Sequence, residues 1–312
     1  MPQISVIISV FNKQQYIYDT IQSVLNQTFS DFEIIIINDG STDQSETIIK
    51  TFTDARIHYI KQPNKGAAAA RNTGIAKANT NFVALLDGDD TWHNTYLESI
   101  INAKNNFPDA QVFASAVAHK YDTELVPVPY NFKIDGKISI KNYFKNSKKH
   151  SLLTSSSIAF NTDILLTTGN FNTSIKSGED TDMWIRIGLY FPIVFINKVL
   201  VYYNYSDSSL SNTTFNLSAK PKYDKYDAEE KNNPEVKAFI DKNRYSLALL
   251  SRLQNDNQAF NFYHSKIDRS SLTLKQNILI NSPKWILKAL LQLKALKGKK
   301  VYYMPLNSKK SE

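Results

Sequence analysis

Apolar residues fall into two alternating rhythms along the first ninety positions. Four short runs are nearly unbroken and rich in β-branched residues: ISVIISV (4–10), FEIIIIND (32–39), RIHYIK (56–61) and FVALLD (82–87). Between them, YIYDTIQSVLNQ, DQSETIIKTF and KGAAAARNTGIAKAN carry helix-like spacing. Continuous apolar strands are what a parallel sheet covered on both faces requires, and intervening helices are how such strands are joined. The expected fold class is therefore α/β. In open sheets of this kind ligands bind beyond the carboxyl ends of the strands. Those ends read Phe11-Asn12, Asn38-Asp39-Gly40, Gln62-Pro63-Asn64 and Asp87-Gly88-Asp89.

After Phe107 the rhythm loosens. AQVFASAVAHKYD and SLLTSSSIAFN predict strands on either side of a polar stretch with Pro127 and Pro129. SGEDTDMWIRIGLYF predicts a helix with Glu179, Asp180 and Asp182 in its first turn and Met183, Ile187 and Tyr190 along one face. Residues 204–234 are polar and weakly patterned. The chain thus divides into an α/β domain over 1–211, a polar linker over 212–234 and a helical C-terminal region over 235–312. Within the last, residues 282–304 predict an amphipathic helix bracketed by Pro283 and Gly298. Lys284, Lys288, Gln292 and Lys299 share one sector, and Trp285, Ile286, Ala289, Leu290, Leu293 and Leu296 fill a broad opposite one, with Leu287 and Leu291 flanking the polar side.

Charge sharpens that last segment. Residues 281–312 hold eight lysines against one acidic residue, so seven of the chain's eight net positive charges lie in the tail and the body is nearly neutral. A basic helix with a wide apolar sector and a Trp suits the cytoplasmic face of an anionic membrane, the alternative being a core helix packed on the domain. No basic patch with interleaved aromatics stands near the acidic strand ends, which argues against nucleic acid. No run approaches the ~18 apolar residues of a membrane span. MPQISVIISVF lacks a basic n-region and reads as a first strand rather than a signal peptide. With no cysteine there is neither a disulfide framework nor a thiolate metal site, which suits a cytosolic protein.

The absent motifs narrow the chemistry. No G-x-G-x-x-G follows the first strand and no G-x-x-x-x-G-K-[ST] occurs, which counts against a dinucleotide dehydrogenase and a P-loop NTPase. No G-x-S-x-G elbow supports a nucleophilic hydrolase. The five histidines show no ligand spacing among themselves. Asp87, Asp89 and Asp90 place three carboxylates within four residues, and like charges this close repel by roughly a kcal/mol per pair even in a water-like dielectric. Two explanations stand side by side. Asp89 or Asp90 caps the helix that runs through Tyr96, Leu97 and Ile100, or the tip of the strand holds a divalent cation that bridges to phosphate oxygens. Asp39 either makes a local turn or faces a ligand. Arg71 is either a surface charge or lines a cleft among small residues. In Glu179-Asp180 one carboxylate can cap the helix while the other takes a proton from a substrate hydroxyl.

Taken in order and spacing, ISVIISVFNKQQYIYDTIQSVLNQTFSDFEIIIINDGSTD, PNKGAAAARNTG, LLDGDD and GEDTDMWIRI closely resemble the family 2 glycosyltransferases, over residues 3 to about 211. The resemblance implies a GT-A fold, with a Rossmann-like, mostly parallel sheet and flanking helices. It also implies an inverting transferase that moves one sugar from a UDP-sugar to a hydroxyl of a glycan or lipid-linked acceptor in surface polysaccharide biosynthesis. Carried over residue by residue, Ser9 and Phe11 would face the nucleobase, Asp39 would bond the uracil N–H, and Asn64 and Arg71 would line the nucleoside-diphosphate cleft. Asp87 would reach the ribose side, Asp89 with Asp87 would hold Mg²⁺ or Mn²⁺, and Asp180 would be the general base with Glu179 in support. There are departures. Ser9 and Phe11 stand where members often have Pro and Tyr, and YNYS (203–206) stands where many have Tyr-Arg-x-His. That second departure keeps a different class of function open, a catalytically silent protein that binds nucleotide-sugar within a biosynthetic complex. A sugar nucleotidyltransferase could share the sheet, but its glycine- and arginine-rich phosphate loop is absent.

Overall fold

The computed structural model describes residues 2–121, 124–204 and 217–296. The chain separates into two compact units, Met1–Tyr205 and Ser206–Glu312.

The first unit is built on one twisted sheet. β1 (Ile4–Val10) runs parallel to both its neighbours, β2 (Phe32–Asn38) and β4 (Phe82–Asp87), and β3 (Ile57–Lys61) lies parallel to β2 on the outer side. Every residue of β2 is buried, and so is all of β1 except the half-buried Ser9. That is why these runs show no polar alternation. Beyond β4 the directions mix. β9 (Ile158–Asn161) is antiparallel to β4 and to β6 (Val112–Tyr121). β10 (Ile193–Asn204) is parallel to β6, and β5 (Asp90–Trp92) pairs antiparallel with β10. Two further strands, β7 (Glu124–Pro127) and β8 (Ile138–Lys141), attach to β6 and β10.

The connections bring the chemistry to one edge. α1 (Ile17–Leu25), α2 (Ser45–Ile49) and α3 (Ala67–Ala76) follow β1, β2 and β3, so β1, β2 and β4 all end on the same side of the sheet. The alanines of α3 let it lie close on β1 and β2. Gly74 sets the limit, because a Cβ there would come 2.3 Å from Ile7 Cγ2. The helix predicted from GEDTDMWIRI is α7 (Glu179–Tyr190), after α4 (Tyr96–Asn106), α5 (Tyr143–Asn146) and α6 (Leu165–Thr168).

Two expectations for this unit are corrected. The strand expected over 151–161 begins only at Ile158. Thr154, Ser155, Ser156 and Ser157 are buried in a turn before it, with Thr154 Oγ1 donating to Ser157 Oγ at 2.7 Å. Neither Asp89 nor Asp90 caps the helix at Tyr96. Thr95 precedes that helix without a side-chain cap, and Asp90 opens β5 instead.

The second unit is helical. Two 3₁₀ turns at 217–219 and 224–226 lead into α8 (Asp227–Asn232), α9 (Pro234–Gln254), α10 (Asn257–Ser265), α11 (Leu274–Asn281) and α12 (Lys284–Leu296). Asn233 caps α9 by accepting from the amides of Glu235 and Val236, with Pro234 preset for the first turn. Where the linker was expected, residues 217–234 therefore carry turns and α8, and Glu230 on α8 is tied to Arg244 on α9; residues 212–216 lie outside the described residues. α12 packs against α9 through the buried Leu287. Its wide apolar sector faces outward: Trp285 is 70% exposed, Leu290 44% and Leu293 55%. Gly298 and Lys299 lie outside the described residues. Among the described residues no helix is long and apolar enough to cross a membrane.

Candidate active site

The parallel register brings the ends of β1, β2 and β4 together, the last two of them acidic. Ser9 on β1 is level with Asp87 on β4, and Val10 is level with Asn38 on β2. Backbone bonds carry the pairing past the strands: Asp39 N–H donates to Val10 O at 2.8 Å and Gly88 N–H to Ser9 O at 2.9 Å. Phe11, at 42% exposed, sits at the mouth of this edge, where a flat ring is available for stacking.

Asp39 is 2% exposed and organises the loop before α3. Its Oδ1 accepts from Gln62 Nε2 at 2.6 Å and from Lys65 N–H at 3.0 Å, and its Oδ2 accepts from Gly66 N–H at 2.7 Å. An ionised carboxylate has about four acceptor positions, so this one is nearly filled by its own chain. Asn64, exposed on the same loop, has its backbone against Gly40. Gly40 has φ +75°, and a Cβ there would fall 2.8 Å from Asn64 N, so the turn needs glycine on both counts.

Arg71 is the centre of the site. It is 5% exposed on α3, its Nη2 donates to Asp87 Oδ1 at 2.8 Å and its Nη1 to Glu179 Oε1 at 2.9 Å. One guanidinium thereby joins the end of β4 to the first turn of α7, and its Cζ lies 5.5 Å from the centre of the Phe171 ring. Burial works against its charge, but Asp87 and Glu179 beside it outweigh that and hold it firmly protonated. Ser9 Oγ donates to the same Asp87 Oδ1 at 3.1 Å. Ser9, Asp87, Arg71 and Glu179 are thus in direct contact.

On α7, Gly178 takes a left-handed turn (φ 88°) and Glu179, Asp180 and Asp182 occupy the first turn, where the helix dipole favours negative charge. Their roles separate by partner. Glu179 is buried and engaged with Arg71; burial, then the neighbouring Asp180, push its carboxyl above the ordinary range against the pull of Arg71. Asp182 is buried against Arg186, 3.0 Å away. Asp180 is half-buried, and its Oδ1 accepts only from Thr181. Among the described residues no donor reaches its Oδ2.

The acidic strand tip is offset three ways. Asp87 faces Arg71. Asp89 faces Lys13, whose Nζ lies 2.5 Å from Oδ2. Asp90 is 6% exposed, and burial, reinforced by Asp89 and Asp87, pushes its carboxyl well above the ordinary range. Ser156 Oγ donates to Asp90 Oδ2 at 2.6 Å, and the Ser156 carbonyl accepts from Trp92 Nε1 at 2.7 Å. Asn204 Nδ2 donates to the Asp89 carbonyl at 2.8 Å, so part of YNYS positions the acidic turn; Tyr205 and Ser206 lie outside the described residues. Lys13, Ser156 and Asn204 are contacts that sequence reasoning missed. Only Lys13 left a signal, a cation two residues past Phe11 at a strand end otherwise facing acids.

Among the described residues no three His, Cys, Asp or Glu side chains come together as a metal site. Asp89 and Asp87 offer two carboxylates, and a divalent ion such as Mg²⁺ or Mn²⁺ that takes its remaining oxygens from a diphosphate and water needs no more. The ammonium already seated on Asp89 shows that the position accepts a cation.

Comparison with known proteins places the chain in a family. The family model described as Glycosyl transferase family 2 matches residues 5–166. A UDP-Glc:alpha-D-GlcNAc-diphosphoundecaprenol beta-1,3-glucosyltransferase, WfaP of Escherichia coli, is 34% identical over 194 residues, 60% of this chain and 70% of WfaP. Other relatives are much longer. The chain spans 26% of an uncharacterized glycosyltransferase of Rickettsia bellii at 35% identity over 59% of its own length, and 14% of GlyA of Streptococcus pneumoniae at 42% identity over 31% of its own length. The crystal structure of S. aureus TarS 1–349 in complex with UDP superposes with a TM-score of 0.67 at 17% identity, covering 98% of this chain and 95% of that one. The likeness shows a shared GT-A fold. With the family model covering more than half its length, the chain belongs to the family 2 glycosyltransferases.

Proposed function

We propose that the protein is an inverting glycosyltransferase that moves one sugar from a UDP-sugar to a hydroxyl of a glycan or lipid-linked acceptor in surface polysaccharide biosynthesis. The observation that carries this reading is the Arg71 bridge between Asp87 and Glu179. It fixes the first turn of α7, with Asp180 and an Oδ2 that has no donor among the described residues, to the acidic end of β4. The TarS structures hold UDP and UDP-GlcNAc on the same fold, and WfaP acts on a diphosphoundecaprenol-linked sugar, which supports a nucleotide-sugar donor and a lipid-linked acceptor.

In this reading Phe11 stacks on the uracil, the last acceptor position of Asp39 takes its N–H, Ser9 and Asp87 face the ribose, and Asn64 and Arg71 line the diphosphate cleft. Asp89, with Asp87, holds Mg²⁺ or Mn²⁺, which when bound offsets charge on the departing diphosphate. Asp180 Oδ2 accepts the proton of the acceptor hydroxyl as its oxygen bonds to the anomeric carbon. The bond to UDP breaks on the opposite face and its electron pair leaves with the phosphate. Glu179 is committed to Arg71 and so holds the turn rather than taking the proton. The test is UDP release by the purified full chain from a panel of UDP-sugars with a lipid-diphosphate-linked acceptor, with and without Mn²⁺. Release that requires acceptor and is strengthened by the cation is expected; binding of UDP-sugar without acceptor-dependent release would instead identify a silent binding protein.

The finer location belongs to the same proposal. The open Trp285, Leu290 and Leu293 face of α12, with Lys284 and Lys288 beside it, suits the inner face of an anionic membrane, each Lys contributing about 1 kcal/mol near such a surface. Full chain is expected to co-sediment with anionic vesicles at low salt, and Trp285→Ser with Leu293→Ser to release it. Equal binding to zwitterionic vesicles, or binding unchanged by the substitutions, would remove the membrane from the proposal.

A further inference from the structure

Lys13 lies in a loop whose backbone is tied down and whose side chain reaches across to an acid beyond another strand. Asn12 adopts a left-handed conformation (φ 52°) just past β1. From there two loops latch reciprocally. Asn12 N–H donates to Ser41 Oγ at 3.0 Å while Thr42 N–H donates to Asn12 Oδ1 at 2.8 Å. Gln14 N–H donates to Asp43 Oδ2 at 3.0 Å while Gln44 N–H donates to Gln14 Oε1 at 2.9 Å. Between them Lys13 N–H donates to Ser45 Oγ at 2.8 Å. The Lys13 stem then crosses to the end of β4, where Nζ meets Asp89 Oδ2 at 2.5 Å with both side chains largely out of solvent, 18% and 16% exposed.

This ammonium occupies one of the two Asp89 oxygens that a divalent cation would use, and two cations in contact with one carboxylate repel strongly. We infer that Lys13 is the resident counter-ion of Asp89 and that it passes to the diphosphate of the donor when a divalent cation takes its place. The inference rests on the UDP-sugar reading above. A flexible four-carbon stem on a fixed backbone suits a charge that must travel a few ångströms. The destination is near, because a cation held by Asp89 and bridging to the donor brings the diphosphate to the same spot. The exchange also supplies positive charge where YNYS has no Arg or His.

Exchange couples the two ligands. A cation arriving alone must displace the ammonium into solvent, whereas a cation arriving with diphosphate gives the ammonium a new anion. Each ligand therefore strengthens the other by the same factor.

The test is Mn²⁺ binding to the full chain, by calorimetry or by the paramagnetic signal of free Mn²⁺, with and without UDP, together with UDP binding at saturating Mn²⁺. Lys13→Met keeps the length and removes the charge. It is expected to bind Mn²⁺ alone about tenfold more tightly than wild type and UDP about tenfold more weakly, shrinking a coupling whose usual span is about 5- to 150-fold. Lys13→Arg keeps the charge and is expected to bind Mn²⁺ alone as weakly as wild type, which separates charge from packing. Thermal melts of both variants confirm folding, and Lys13→Gln replaces Lys13→Met if the latter melts early. Unchanged or weaker Mn²⁺ binding in the neutral variant, or unchanged UDP binding, overturns the exchange. If wild type binds neither Mn²⁺ nor UDP, the donor reading fails and this inference with it; if wild type binds both and the neutral variant matches it, only the exchange fails.

Discussion

Two buried arginines, one in each unit, make the same kind of contact for different ends. Arg71 is 5% exposed and Arg244 1% exposed, and each grips more than one carboxylate while its Nε has no partner among the described residues. Arg244 holds Glu230 by two bonds of 2.5 and 2.7 Å and lies 3.5 Å from Asp241. Its circle is closed. Lys237 pairs with Asp241 at 2.5 Å, Asp241 Oδ2 accepts from Asp268 N–H, and Asp241 is fully buried. A cavity of about 450 Å³ lies beside this network, yet the charged groups around it are largely committed to one another. Around Arg71 the circle is open, since the Asp87 side chain is 32% exposed and Asp180 has an oxygen without a donor among the described residues. Burial and paired charge are common to both places. Among the described residues, an unspent carboxylate oxygen on α7 tied by Arg71 to the end of a parallel strand belongs to the first place.

The comparison can be broken by substitution. The largest effect is expected at Asp180: Asp180→Asn should lower sugar transfer by ~10²–10⁴-fold, the usual worth of a positioned base, with UDP affinity close to wild type in a titration. An equal fall in both would mean that the acid binds donor rather than takes a proton. Next comes Arg244→Met, which leaves Glu230 with the longer Lys237 contact at 3.4 Å in place of two guanidinium bonds. Breaking a buried pair costs about 3–5 kcal/mol, so its urea midpoint should drop clearly while UDP affinity holds. Wild-type stability in that variant would show that the closed network contributes nothing. The smallest effect is expected for Arg71→Lys, because one ammonium can serve Asp87 or Glu179 but not both in the fork geometry. The acid left without a donor costs about 1–3 kcal/mol, read as a roughly ten- to hundredfold loss of transfer. Unaltered transfer would show that the bridge between β4 and α7 is dispensable.

Much of the first unit was legible because its strands are buried on both faces. ISVIISV and FVALLD match β1 and β4 residue for residue. SLLTSSSIAFN misled because its serines and threonine are buried as hydrogen-bonding groups, and nothing in local composition says that Ser156 will meet Asp90 and Trp92. The acidic tip was legible as a problem but only half as a solution. The sequence carries three carboxylates, whereas tertiary packing brings Arg71 from sixteen residues away to one, Lys13 from seventy-six away to the second, and buries the third. YNYS was read as a loss, yet Asn204 fastens the Asp89 carbonyl from 115 residues downstream. In the second unit, periodicity located α12 and its wide apolar sector, while which sector docks was settled by packing at Leu287.

Gly74 bears on how far this site can drift. Three residues after Arg71 on α3, it leaves so little room over Ile7 that a single added methyl would have to move the helix or the strand. Helix α3 therefore rests on β1 as on a hard stop, and the height of Arg71 above the sheet is gauged by an uncharged contact roughly one turn away. The spacing between Asp87 at the end of β4 and the first turn of α7, both held by Arg71, is in this sense a machined tolerance of the hydrocarbon interior. Substitutions that loosen or shim the gap between Ile7 and residue 74 would detune the reaction without touching any group that carries charge.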